Sequence, residues 1–261
     1  MAGTRDEGIN EVADSSANIL GSLTGALIGA AMAGPEGVII GAVAGPVVQE
    51  TGRRVFSRAL GFRERKRVDS VVRYATQAVR RNQAAGMTLR TDHFWEARGG
   101  YAPPAQEVFE AVLIAAQREP EERKTPFMGS LFAYAAFDQG LSATAAHWAV
   151  KTAESLTWSQ FQLLALVGRA EELDLAGIVI GQSALNWDSF TLHQELSNLG
   201  LGGRYLIHGG TEETWNKIQV PTSVLSNYRL QNGGKLLHAA LGLVDIPTAE
   251  LNEVVGRLRK P

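Results

Sequence analysis

The stretch RERKRVDSVVRYATQAVRR, residues 63–81, decides the fold class. Val68, Val71, Val72, Ala75, Ala78 and Val79 recur at three- and four-residue spacing, which places them on one face of a helix. A strand would alternate apolar and polar residues instead, and no such alternation is present. Arginines cover the remaining faces, and Gly86 is the expected stop. The stretch therefore predicts an amphipathic basic helix within a basic segment spanning residues 49–97, in a protein that is mainly α.

The charge of this segment is local. Residues 53–90 hold eleven Arg or Lys against Glu64 and Asp69. Residues 1–18 hold Arg5 against Asp6, Glu7, Glu11 and Asp14, while the whole 261-residue chain averages to −2. A basic helix of this kind can meet lipid headgroups, meet nucleic-acid phosphates, or face solvent.

What lies upstream favours lipid. After a polar tail (1–18), residues 19–48 are rich in glycine and alanine, as in GSLTGALIGAAMAGPEGVIIGAVAG (21–45). Glycine costs roughly 1 kcal/mol against alanine inside a helix, so its abundance needs a reason. Gly34-Pro35-Glu36-Gly37 is a turn signal that splits the stretch in two. Gly21, Gly25 and Gly29 share one helix face in the first half, and Gly37, Gly41 and Gly45 share one in the second. Small residues at this spacing let helix backbones approach closely, as in lipid. The expectation is a glycine-zipper helical hairpin whose six glycines form a membrane or oligomer contact; the alternative is a tight hairpin in water. Each half, about 15 residues, gives roughly 22 Å of helix, against roughly 30 Å of hydrocarbon. That predicts shallow or re-entrant insertion.

Basic residues flanking a membrane segment mark its cytoplasmic side. Arg53, Arg54, Arg58, Arg63, Arg65, Lys66 and Arg67 are therefore the candidate contacts to headgroups or phosphates. No aromatics interleave with them, so nucleic acid is the less favoured partner. Ala31-Met32-Ala33 mimics a signal cleavage site, but the acidic start argues against a leader. The expected location is the cytoplasm, in association with the inner membrane.

Downstream, RGGYAPPAQ (98–106) reads as a connector. Residues 104–180 then read as a helical bundle, with stripes at Val108, Phe109, Val112, Leu113 and Ala116, in FMGSLFAYAAF (127–137), and in residues 143–156. Ser142 or a neighbour is the expected cap of the third helix, and Thr157 that of the fourth. Residues 188–261 read as a small α+β, winged-helix-like unit. Helix, glycine turn and strand occupy LHQELSNLGLGGRYLIHGG, and strand then helix occupy YRLQNGGKLLHAALGL. A last helix is expected to be capped by Thr248.

Little points to catalysis. The chain has no cysteine, so thiolate metal sites and disulfides are excluded. It has no GxxxxGK[ST] phosphate loop, and Gly181-Gln182-Ser183 lacks the last glycine of a nucleophile elbow. The five histidines have no metal-ligand spacing. Glu121-Glu122 and Glu171-Glu172 are neighbours that point apart on a helix. No enzyme, cofactor or metal is expected.

The run ERKTPFMGSLFAYAAFDQGLSATAAHWAVKTAESLTWSQFQLLAL (122–166) resembles the alpha-type abortive-infection proteins of bacteria. The matching residues are Lys124, Pro126 and Phe127 of a K-x-P-F start, Asp138 of a turn, and Glu154, Leu156, Thr157 and Gln160 of a helix start. YRLQNGGKLLHAALGL is similar to that family's C-terminal helix. The resemblance covers about half the chain and carries no catalytic residue. It implies a phage-defence protein that damages the host membrane. The sequence thus predicts a membrane-acting effector that forms homo-oligomers. The alternatives are a soluble scaffold that binds a protein partner and a nucleic-acid-binding protein.

Overall fold

The computed structural model describes residues 61–180, 187–200, 204–209 and 223–259. The polar tail, the hairpin with Gly21, Gly25, Gly29, Gly37, Gly41 and Gly45, and Arg53, Arg54 and Arg58 lie outside the described residues. The described chain is mainly helical and divides between Ser155 and Leu156 into two compact units.

Among the described residues, the first unit holds four α-helices: α1 (Phe62–Ala84), α2 (Pro104–Arg118), α3 (Thr125–Phe137) and α4 (Ala143–Ser155). The valine stripe of α1 is buried as its spacing requires, from Val68 to Val79. Burying each such side chain stabilises the fold by about 1.5–3 kcal/mol, which favours one inward face. The helix ends at Ala84, and Gly86 follows in the left-handed region at φ 79°.

Helix α3 is buried along most of its length, at Met128, Gly129, Leu131, Phe132, Ala133, Ala135, Ala136 and Phe137. A helix apolar on all sides belongs at the centre of a bundle. It packs along α1, with α2 beside both and α4 against α2. Gly129 sets the α1–α3 approach. A Cβ there would lie 2.6 Å from the Val71 carbonyl oxygen and 2.8 Å from the Ala75 nitrogen. Phe109 and Phe132 meet with ring centres 4.5 Å apart.

Arginine and lysine carry part of this packing. Arg90 is buried and donates to the Ala135 and Leu141 carbonyls, pairs with Asp92 through two hydrogen bonds, and lies over the Phe94 ring. Lys124 and Glu119 form an ion pair at 2.5 Å in which both side chains are 1% exposed.

The second unit is built around α5 (Trp158–Gly168), buried from Gln160 to Val167. It packs against α6 (Trp187–Gly200), α7 (Asn232–Ala240) and α8 (Thr248–Leu258). Thr157 caps α5 as expected: its hydroxyl accepts from the Gln160 amide at 3.2 Å, and Gln160 Oε1 accepts from the Thr157 amide. Ser142 likewise accepts from the Ala145 amide at the start of α4. The sequence groups α5 with the preceding bundle, whereas its contacts lie with the C-terminal helices. Every residue of its middle turns is apolar or buried, so periodicity alone names no partner.

Among the described residues, the second unit also has four two-residue strands: β1 (Val179–Ile180), β2 (Ile207–His208), β3 (Ser223–Val224) and β4 (Arg229–Leu230). They form two separate antiparallel pairs, β1 with β3 and β2 with β4. Gly234 is buried where a Cβ would collide with the Leu206 carbonyl, so α7 seats directly on the strand entering β2. Thr248 is the first helical residue of α8 rather than its cap, which is Pro247. The Thr248 hydroxyl instead accepts from the Arg169 guanidinium at 2.7 Å, which also donates to the Ile246 carbonyl. Among the described residues, no helix is long and apolar enough to cross a membrane.

Candidate functional site

Helix α1 has two kinds of cation. Arg63, Arg65, Lys66 and Arg73 are exposed, because the valine face is spent on the unit's own core. Arg67 is half-buried, and its guanidinium donates to the Gln117 and Glu119 carbonyls, both at 2.7 Å. Those carbonyls end α2, where a helix leaves unsatisfied acceptors and partial negative charge. Arg67 therefore works as a clamp between α1 and α2, while the exposed cations face water.

Two rows of α1 line one cleft of about 460 Å³. Residues four apart on a helix stack along one face. Arg65, Asp69 and Arg73 form one row, and Phe62, Lys66 and Ser70 form the next. Arg67 reaches the cleft as well, and Glu122 and Thr125 close the opposite side. Four cations therefore face two carboxylates.

The polar groups of the cleft are linked. Lys66 Nζ lies 3.2 Å from Glu122 Oε2 in an exposed pair, which contributes about 0–1 kcal/mol and opens readily. The Thr125 hydroxyl donates to the Glu122 carbonyl at 2.8 Å and lies 3.2 Å from Ser70 Oγ. The Arg73 guanidinium sits 5.2 Å from the Tyr74 ring centre, which holds its stem against the helix. Phe62 is 85% exposed at the mouth, an apolar plate beside a charged floor.

Asp69 stands apart from its neighbours. Burial raises its carboxyl above the ordinary aspartate range, and the nearby Arg65 charge opposes that shift. Its Oδ1 is buried with no hydrogen-bond partner among the described residues, and so is Arg67 Nε. The cleft thus offers several donors and one unanswered acceptor.

The sequence names Arg63, Arg65, Lys66 and Arg67 as contacts, and the structure brings Arg65, Lys66 and Arg67 to the cleft. It adds Phe62, Asp69, Ser70, Arg73, Glu122 and Thr125. The four-residue spacing of the α1 members is a signal that the sequence carries; Glu122 and Thr125 arrive from more than fifty residues away with no sequence signal. Residues carrying the family resemblance have structural surroundings. Lys124 pairs with Glu119, Asp138 Oδ1 accepts from the Gly140 amide, and Thr157 and Gln160 cap α5. Among the described residues, no group of three His, Asp or Glu is placed to hold a metal ion.

No family model, curated protein or solved structure matches the chain. The cleft and the helix that carries it are therefore what a function must be built on.

Proposed function

We propose that this chain is a bacterial membrane-acting effector of phage defence, working from the cytoplasmic face of the inner membrane. In this reading residues 19–48 form a glycine-zipper hairpin that oligomerises in the bilayer and raises its permeability. The described helices form the soluble body, with a winged-helix-like C-terminal part. The resemblance to abortive-infection proteins supports the defence role.

One observation carries the membrane contact: α1 buries its valines internally and leaves Arg63, Arg65, Lys66 and Arg73 in solvent, a short way along the chain from the glycine-rich stretch. With its apolar face already occupied, α1 meets a bilayer by charge rather than by insertion. Each cation near an anionic surface contributes about 1 kcal/mol. Four give about 4 kcal/mol, an affinity near millimolar. Stable attachment needs a second signal, and the hairpin supplies it.

The test is flotation and dye release with anionic vesicles. The intact chain floats and releases dye, while deletion of residues 19–48 abolishes release. Gly25→Leu combined with Gly41→Leu abolishes it too, with the helical body still folded by circular dichroism. Dye release unchanged in the double variant overturns the reading. A scaffold that binds a protein partner is favoured by a different feature. Trp187 and Phe190 of α6 are 82% and 43% exposed and meet edge to face at 5.9 Å, an aromatic pair suited to an interface. Such a scaffold would stay at the bottom of the gradient.

A further inference from the structure

We infer that the α1 cleft is a binding site for a phosphomonoester, with Arg65, Lys66 and Arg73 holding the phosphate oxygens and Asp69 accepting the hydrogen of a P–OH group. The inference deepens the reading of α1 as an anion-facing helix and rests on it for the lipid source of the ligand.

The charge of the site selects an anion. Four cations line a cleft of about 460 Å³ against Asp69 and Glu122, leaving two positive charges for a ligand to neutralise. A phosphomonoester carries about −1 below its second ionisation, near pH 6, and about −2 above it, so both forms are drawn to that excess and the monoanion keeps one P–OH. Arginine guanidinium and lysine ammonium both donate to phosphate oxygens, and such charge-assisted bonds are among the stronger ones available. Among the described residues, Lys66 is held by an exposed pair with Glu122, which a phosphate can take over. Ser70 adds a hydroxyl in the row beside Arg65 and Arg73.

Asp69 narrows the choice further. A carboxylate among cations weakens binding of a plain anion, so its presence needs a reason. Asp69 is half-buried and lines the cleft, and its Oδ1, turned inward, has no donor among the described residues, so turning the carboxylate about its Cβ–Cγ bond presents an acceptor to a ligand. A phosphomonoester monoanion brings a P–OH donor to such an acceptor; a sulfate ester has none. The exposed Phe62 ring at the mouth gives the organic part of the ligand an apolar surface to lie on.

The test uses the full chain and a matched pair of probes, phenyl phosphate and phenyl sulfate, titrated calorimetrically at a pH below the second phosphate ionisation, about 6. Phenyl phosphate binds, and phenyl sulfate binds about tenfold more weakly. R65A combined with R73A weakens phenyl phosphate by about tenfold or more, while R80A combined with R81A, the same charge change on the same helix, leaves it within about twofold. D69N removes the preference for phosphate over sulfate. Equal binding of the two probes, an equal loss in both double variants, or an unchanged preference in D69N each overturns the inference. Vesicles separate the sources of the phosphate. Tighter flotation with phosphatidic acid than with phosphatidylglycerol, a preference lost in R65A/R73A, assigns the site to a lipid headgroup. Binding of phenyl phosphate without flotation keeps the site, assigns it to a soluble ester and refutes the membrane reading. Flotation that survives R65A/R73A while phenyl phosphate binding is lost keeps the membrane reading and assigns the cleft to a soluble ester; phenyl phosphate binding that survives R65A/R73A refutes the cleft.

Discussion

Replacing Lys124 with methionine should destabilise the first unit severely, and the reason lies in Glu119. Both side chains are 1% exposed, and the ammonium lies 2.5 Å from Glu119 Oε2. The other carboxylate oxygen accepts from the Glu121 amide at 2.9 Å, and the ammonium also approaches the Glu154 carbonyl at 3.4 Å. Methionine matches the lysine stem in length, so the packing survives and the change isolates the charge. Removing one member of a buried pair leaves the other ion without compensation, at a cost of about 3–5 kcal/mol. Native domains have only about 5–15 kcal/mol in hand. With a urea slope of about 2 kcal/mol per molar, the midpoint of the first unit should fall by roughly 1.5–2.5 M. The assay is urea unfolding of the full chain, with hydrogen exchange of the α2 and α3 amides to assign the transition to this unit. Glu119→Gln added to Lys124→Met should recover at least about 2 kcal/mol, because a neutral amide oxygen can still accept from Glu121 while no buried charge remains. A cost for Lys124→Met below about 1 kcal/mol would show that the pair is solvated, at the level of an exposed ion pair, and would refute the reasoning.

Further outcomes follow from single contacts. Gly129→Ala places a methyl 2.6 Å from the Val71 carbonyl oxygen, so α1 and α3 must separate; a loss of about 1–3 kcal/mol is expected in the same urea assay. Thr157→Ala removes the cap that accepts from the Gln160 amide and should cost about 1 kcal/mol in the second unit, with Thr157→Ser close to wild type. Asp92 is held below the ordinary carboxylate range, chiefly by its hydrogen bond from Arg90. A depressed folded value means that its contribution is complete above the unfolded aspartate value, about 3.9, and is lost as pH falls through the folded one. Asp92→Asn should therefore flatten the acid limb of the stability curve below about pH 4 while leaving its slope at neutral pH unchanged.

How much of this was legible in the sequence depends on how far apart the partners stand. The valines of α1 announce a helix because neighbours three and four residues away share its face, and the structure buries those same residues. The caps at Ser142 and Thr157 were legible for the same reason, since donor and acceptor are three residues apart. Thr248 misled because its hydroxyl serves Arg169, 79 residues away. Gly129 reads as one small residue in an apolar run, and only the backbone of α1 across from it shows why a side chain is excluded.

The arginines of α1 bring the two cases together. Read along the chain, Arg65, Arg67 and Arg73 are equivalent members of a basic belt. In the fold, the C-terminal carbonyls of α2 take Arg67 and leave Arg65 and Arg73 to solvent. This division follows from geometry. Arg65 and Arg73 are eight residues apart, on one row with Asp69, whereas Arg67 is turned by about 200° from Arg65 at 3.6 residues per turn. One helix can therefore clamp its neighbour and present cations at the same time. Neutralising Arg67 tests that division. Arg67→Met should lower stability, because two end carbonyls of α2 lose their donor, at about 1–3 kcal/mol in total. Arg65→Met should leave stability within about 0.5 kcal/mol, as for most surface substitutions. Equal melting of the two variants would show that the belt is a single solvated face, and the distinction between its cations would be lost.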